Sequence, residues 1–297
     1  MIVIKIVVRT LKKRKKMESV IIRPKNEILN KHIQYFLFFK KKDQSLLHYT
    51  TFPNNNLCLA IYRQNNINYI TDTTKNSCQI TSGNKNFTTR LYGFHKMPFT
   101  VNIESNLEQI CIIFKPSALR AFTRVPYEDL MSSDDFCNIL SYKDDTVLEQ
   151  IFEENEFSRK ADKLEHLLLT NLKYEVPSKF KEALYLISCD NNCNLTVDSL
   201  AKNLDISTSS LFRLFKNNLG QNPKSYLKTI RFRSSLNEIL NSQKTLTNVA
   251  YINQYFDQSH FINDFKSFSG YSPNQLIDKV SLQQNQLVWI YNKVDFD

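Results

Sequence analysis

One segment of this chain is written twice. Ser209-Ser210-Leu211-Phe212-Arg213-Leu214-Phe215-Lys216 is followed by Gly220 and Pro223. Fifty residues later, Ser259-His260-Phe261-Ile262-Asn263-Asp264-Phe265-Lys266 is followed by Gly270 and Pro273. Ser, an apolar residue, Phe-Lys, Gly and Pro recur in register, and two of the four glycines in the 297 residues fall at these equivalent points. A repeat of this length marks two copies of one supersecondary unit.

Each copy predicts two short helices around a tight turn. In the first, Thr196 can cap a helix that turns Leu200, Ala201 and Leu204 inward, Asp205-Ile206 makes the turn, and Ser207 caps the next helix by accepting from its free N–H groups. That helix buries Leu211, Leu214, Phe215 and Leu219, Gly220 supplies the left-handed residue past its end, and Pro223 starts another helix, where a missing N–H costs little. In the second copy Val249 and Ala250 lie on the first helix, Asp257 caps the second, and Phe261, Phe265 and Phe268 point inward. This is the helix-turn-helix plan. The helix from Pro223 to about Asn241 joins the units. At about 1.5 Å per residue it spans roughly 28 Å, near the roughly 34 Å between successive major grooves on one face of DNA.

The outward faces carry the chemistry. On the first of the two second helices (about 207–219), Ser209, Phe212, Arg213 and Lys216 lie opposite the buried stripe; on its counterpart (about 257–268), His260, Asn263, Asp264 and Ser267 do. Arg213 suits guanine, Asn263 adenine, and Phe212 a thymine methyl. Lys216 and Lys266 suit phosphates, which set position rather than sequence. Asp264 must meet a cytosine amino group or turn away from the backbone.

The rest of the chain reads differently. Short apolar runs at Leu57–Tyr62, Ile67–Ile70, Phe87–Tyr92, Phe99–Ile103 and Gln109–Phe114 are separated by turn-forming Asn clusters and Ser82-Gly83-Asn84. They predict a small antiparallel sandwich or barrel. Helical spacing follows at Ser117–Phe122, Thr146–Phe152 and Ala161–Leu172, the last with Leu164, Leu167, Leu168 and Leu172 on one face. That stripe fits either core packing or a dimer helix. Val176-Pro177 breaks the pattern and sets the boundary. The expected class is α+β: a β sandwich or barrel with flanking helices over 17–176, an all-α domain with two helix-turn-helix units joined by a long helix over 177–280, and a tail over 281–297.

Charge sharpens the division. Residues 1–16 carry seven Lys/Arg and no acid, residues 17–176 balance at 19 basic and 19 acidic, and residues 177–280 carry 12 basic and 8 acidic. The C-terminal domain is thus basic in its own right, as a nucleic-acid binder should be. The first 16 residues run apolar then basic, the reverse of a secretory signal, and read as a basic tail or a misassigned start, with Met17 the expected first residue. No apolar run approaches the roughly 20 residues of a membrane helix. Cysteines 58, 78, 111, 137, 189 and 193 read as reduced thiols of a cytoplasmic protein. Cys189-x3-Cys193 lacks zinc spacing and the five histidines are scattered, so neither a metal nor a cofactor is expected.

Residues from about 178 to 280 resemble the AraC/XylS-type transcriptional regulators. The likeness runs through Leu200-Ala201, Ser207, Leu211, Arg213, Phe215-Lys216, Gly220, Pro223, Tyr226 and Arg231, and resumes at Ala250, Asp257-Gln258-Ser259, Phe261, Phe265-Lys266, Gly270 and Pro273. The resemblance implies a seven-helix domain with both recognition helices in adjacent major grooves, and Ser209, Phe212, Arg213, His260 and Asn263 in base-facing positions. With Lys216, Ser259 and Lys266 these form the expected DNA-binding set. Two departures stand out: Gln254-Tyr255-Phe256 replaces the family's Gly-Phe turn, and Asn263 replaces a basic residue. The N-terminal part resembles an uncharacterised domain that precedes this one in many such regulators, through Phe52-Pro53-Asn54, Gly93-Phe94 and Phe114–Leu119.

The reading is a sequence-specific DNA-binding regulator whose N-terminal domain senses a small effector or dimerises. Double-stranded DNA is the expected partner; RNA polymerase, an unknown small-molecule effector and a second copy of the chain are those the resemblance admits. One alternative leaves the N-terminal domain only docking a protein partner. Another is a DNA-repair enzyme with a related DNA-binding domain, whose acceptor needs a Cys activated as in Pro-Cys-His. No Cys here has that context, nor is there a Gly-x-Ser-x-Gly, so the chain is not expected to be an enzyme.

Overall fold

A computed structural model describes residues 3–6, 17–72, 76–132, 145–190, 193–242, 244–280, 282–284 and 287–292. Cys137 and most of the basic tail lie outside these; the remaining five cysteines are free thiols.

Strands β1 (Val3–Ile6) and β2 (Met17–Ile22), a short helix α1 (Glu27–Asn30), and strands β3 (Ile33–Lys41), β4 (Leu47–Thr51), β5 (Leu57–Thr71), β6 (Asn76–Tyr92), β7 (Phe99–Ile103) and β8 (Leu107–Phe114) make the N-terminal part. A 3-10 turn (Ala118–Ala121) and helices α2 (Tyr127–Ser132), α3 (Thr146–Phe152) and α4 (Phe157–Thr170) follow. The strands join one sheet in the order β1-β2-β3-β8-β5-β6-β7-β4-β10-β9, where β9 is Leu282–Gln284 and β10 is Leu287–Asn292. Every pairing is antiparallel except β6 with β7.

Two findings depart from the sequence reading. The runs at 57–62 and 67–70 are one strand, bulged between Arg63 and Asn65, with Gln64 at φ 55°. The sheet also begins well before Leu57 and takes in β10 from the C-terminal tail, which pairs with β4 from Trp289↔Thr51 to Asn292↔His48.

Both faces of the sheet are buried. On β3, Phe36 and Phe38 point to the face covered by helices, while Tyr35, Leu37 and Phe39 point into the curl. Helix α4 lays Ala161, Leu164, Leu167 and Leu168 on the covered face, so its leucine stripe is core. Its buried Glu165 accepts from the backbone N–H of Lys25 and Asn26, at 2.8 and 2.9 Å.

Helices α5 (Ser178–Cys189), α6 (Val197–Asn203), α7 (Thr208–Leu219), α8 (Pro223–Asn241), α9 (Leu246–Ile252), α10 (Gln258–Ser269) and α11 (Pro273–Lys279) form the C-terminal part. The first helix-turn-helix unit, α6–α7, shares a single apolar cluster with the covered face of the sheet, joined through Phe180, Phe215 and Tyr226. The second, α9–α10, packs separately around Phe232, Phe261 and Phe265, and takes Phe52 from the N-terminal part into its core. Among the described residues no helix is long and apolar enough to cross a membrane.

Candidate nucleic-acid interface

Both units close by the same local chemistry. Thr196 and Ser199 form a reciprocal capping box at the start of α6. The turn into α7 places Asp205 at φ 52° and returns the Ile206 N–H to the Ala201 carbonyl at 3.1 Å. The second turn places Gln254 at φ 56° and returns the Tyr255 N–H to the Ala250 carbonyl at 3.0 Å. Gln254 thus holds the left-handed position where the resembled family has Gly. Aspartate tolerates that conformation through local hydrogen bonds; glutamine does so less readily. Ser207 and Asp257 then cap the recognition helices α7 and α10, accepting from the N–H groups of Ser210 and His260.

The units are not identical copies. Ala201 and Asp205 match Ala250 and Gln254 at a separation of 49, whereas the capping residues Ser207 and Asp257 are 50 apart. The residue added in the second turn is Phe256, which is 92% exposed. That slip was present in the sequence, yet the matched Ser, Phe-Lys, Gly and Pro set the register on the helix and hid it.

On α7, Ser209, Phe212, Arg213 and Lys216 are exposed, spaced i, i+3, i+4, i+7 along one face. The groove beside them is also lined by Val197, Asn222 and Lys224. On α10, Ser259, His260, Asn263 and Lys266 are exposed. His260 is tied to its own turn: its Nδ1 accepts from the Phe256 N–H at 3.4 Å and its ring meets Tyr255 edge-on. Asp264 leaves the outward face. Its carboxylate pairs with Lys228 on α8 at 3.1 Å and is almost fully buried, which keeps a negative charge off the helix surface. Lys266, also in the last turn, keeps its charge outward.

The N-terminal part touches α7 directly. Glu128 on α2 pairs with Lys216 at 3.1 Å. Tyr127 covers Gly220, the left-handed residue that ends α7 at φ 71°. A Cβ there would lie 2.0 Å from the Tyr127 ring, so glycine is required twice over, for conformation and for space. Neither residue was marked by the sequence reading, because α2 carries no motif and its contact is set by tertiary packing.

A pair of capped helix-turn-helix units on one long helix, each with a polar, cation-bearing outer face, is a DNA-binding arrangement. The C-terminal helices are similar to the DNA-binding domain of AraC-type regulators, and the stretch before them matches an uncharacterised domain. The matching families are described as "Helix-turn-helix domain", over residues 200–279, and "Domain of unknown function (DUF6597)", over residues 21–134. Among curated relatives, the raffinose operon transcriptional regulatory protein RafR of Pediococcus pentosaceus is 27% identical over 105 residues, covering 35% of this chain. The lactose operon transcription activator of Staphylococcus xylosus is 26% identical over 111 residues, covering 37% of this chain. These stretches span 38% and 40% of the relatives' own lengths. Among solved structures, the C-terminal domain of AraT, a response regulator from Geobacillus stearothermophilus, is 25% identical with a TM-score of 0.34, covering 38% of this chain and 93% of that one.

Proposed function

We propose that this protein is a sequence-specific transcriptional regulator that reads DNA with α7 and α10 in successive major grooves and whose N-terminal domain, residues 17–176, senses a small effector. The observation that carries the reading is the paired exposure of Ser209, Phe212, Arg213 and Lys216 on α7 with Ser259, His260, Asn263 and Lys266 on α10, each set opposite a buried apolar stripe. Arg213 is the base-reading residue of the first unit, and Asn263 of the second; Lys216 and Lys266 position the backbone. Such a regulator acts in the cytoplasm, where the DNA is.

The curl of the sheet supports the effector role. It holds a cavity of about 130 Å³ lined by Tyr35, Tyr49, Tyr62, Tyr92, His95 and Gln109, among others. Aromatic walls with a few polar groups suit a small uncharged ligand. Leu164, Leu167 and Leu168 are buried in the core and Leu172, just past α4, packs against it, which leaves that stripe unavailable for dimerisation.

Fluorescence anisotropy of the full chain on DNA from its own upstream region, against shuffled DNA, tests the DNA reading. Tighter binding to the native sequence, lost in Arg213→Ala, is expected. Equal and salt-sensitive binding to both would reduce the interaction to phosphate attraction. A ligand-dependent rise in melting temperature tests the effector role.

A further inference from the structure

A second cleft flanks α7 on the side facing the N-terminal part. It has a volume of about 420 Å³ and is lined by Arg120, Arg124, Ser210, Arg213, Asn217 and neighbouring residues. Positive charge converges here from both domains. Arg120, within the 3-10 turn, is only 4% exposed. Its Nη1 donates to the Val125 carbonyl at 2.6 Å, while Nε and Nη2 are buried and have no hydrogen-bond partner among the described residues. After burial, the neighbours that act on it are the Tyr127 hydroxyl, which favours its charge, and then the cation Arg124, which opposes it. A buried, unpaired cation is costly, and burial accordingly pulls this guanidinium below its ordinary range.

The other two guanidiniums are better exposed. Arg124 donates to the Glu175 carbonyl at 3.0 Å and lies 4.9 Å over the Tyr174 ring. Arg213 is exposed, with no hydrogen bond or ion pair among the described residues. Glu128, on the adjoining helix, is taken up by Lys216.

We propose that this cleft is a binding site for a small oxyanion, the phosphate or carboxylate group of a metabolite, held by the forks of Arg124 and Arg213 above the unpaired charge of Arg120. Guanidinium forks match such groups bidentately. Ser210 and Asn217 add neutral donors at the wall. The buried position of Arg120 favours a small anion over a duplex phosphate, which would meet only the rim. The site itself does not depend on the DNA reading; its consequence does. An anion that engages Arg213 competes with a base for the same fork, so its binding and DNA binding oppose each other.

Calorimetry and thermal melting of the full chain test the site, with inorganic phosphate in one arm and succinate in another, each against sodium chloride at matched ionic strength. One of the two anions is expected to bind and to raise the melting temperature beyond chloride, and the arm that responds tells phosphate from carboxylate. Arg124→Gln and Arg213→Gln, both surface changes, are expected to weaken that binding about tenfold each, the loss of one charge-assisted contact. Lys202→Gln, at an exposed position of α6 outside the cleft lining, is expected to leave it unchanged. Responses equal to chloride, or insensitive to Arg124→Gln and Arg213→Gln, would overturn the proposal. Arg124→Gln weakening every DNA sequence alike, with neither anion binding alone, would overturn it in favour of a backbone contact. Because calorimetry uses no DNA, a failure of sequence-specific binding would leave the anion result readable.

Discussion

Gly220 and Gly270 occupy equivalent points of the repeat and the same left-handed conformation, at φ 71° and 75°. Their surroundings differ. An added Cβ at Gly270 meets only Pro98, at 3.4 Å, whereas at Gly220 it meets the Tyr127 ring. Gly270→Ala is therefore expected to cost about 1 kcal/mol, the conformational penalty alone. Gly220→Ala adds a steric clash and is expected to cost about 3 kcal/mol or more. In a Tyr127→Ala background the Gly220→Ala penalty should fall toward that of Gly270→Ala, as urea denaturation of the four variants would show. Equal penalties at the two glycines in the unaltered background would contradict the docking of Tyr127. A second residue-scale expectation concerns His95, which lines the sheet cavity and stacks on Phe99 at 5.0 Å. Burial pushes its imidazole down to about 4. In the unfolded chain the same ring takes a proton near 6.5. Between these values the unfolded state binds more protons, so stability falls as pH drops from about 6.5 to 4, by up to about 3 kcal/mol. His95→Phe should flatten that part of the stability profile, which chemical denaturation across the range would reveal.

Among the elements, α2 is the least conspicuous in sequence and the most consequential for α7. Its Glu128 holds Lys216, the cation assigned to a DNA phosphate. Both side chains are substantially exposed, so the pair is weak and easily exchanged for a phosphate. Glu128→Gln is expected to raise DNA affinity about two- to threefold at low salt and leave sequence preference intact, measured by anisotropy; a loss of affinity would contradict the competition. The elements also show what a sequence discloses. The helix-turn-helix units were legible because caps, left-handed residues and prolines occupy fixed offsets, and Thr196, Ser207, Gly220, Pro223 and Asp257 all serve as their chemistry requires. Strand β3 was not legible. Its run Ile33-Gln34-Tyr35-Phe36-Leu37-Phe38-Phe39 is buried on both faces, which removes the period-two alternation that marks a half-buried strand. Strand β10 was hidden for another reason: its partner β4 lies more than two hundred residues earlier, and no local pattern reports such a pairing. Of the interface, the outward residues of α7 and α10 followed from helical spacing. The inward turn of Asp264 did not, because it depends on where Lys228 stands on α8.

At the scale of the whole molecule, the chain boundary at Val176-Pro177 separates two patterns of sequence but not two cores. The covered face of the sheet, α4 and the first helix-turn-helix unit share one apolar cluster, and Phe52 is buried in the second. Tyr226 on α8 meets Phe94 edge-on, at 6.2 Å. The effector proposed for the sheet would therefore have packed side chains, rather than a solvated linker, between its cavity and the recognition helices. In the proposed function the two recognition helices act together on one face of DNA. Hydroxyl-radical footprinting of the full chain on its upstream DNA tests it most directly. Two protected segments are expected on the same face, with centres about 10 base pairs apart, and loss of one segment in Arg213→Ala with the other retained. A single protected segment with the unaltered chain, or two segments out of phase with the helical repeat, would contradict it.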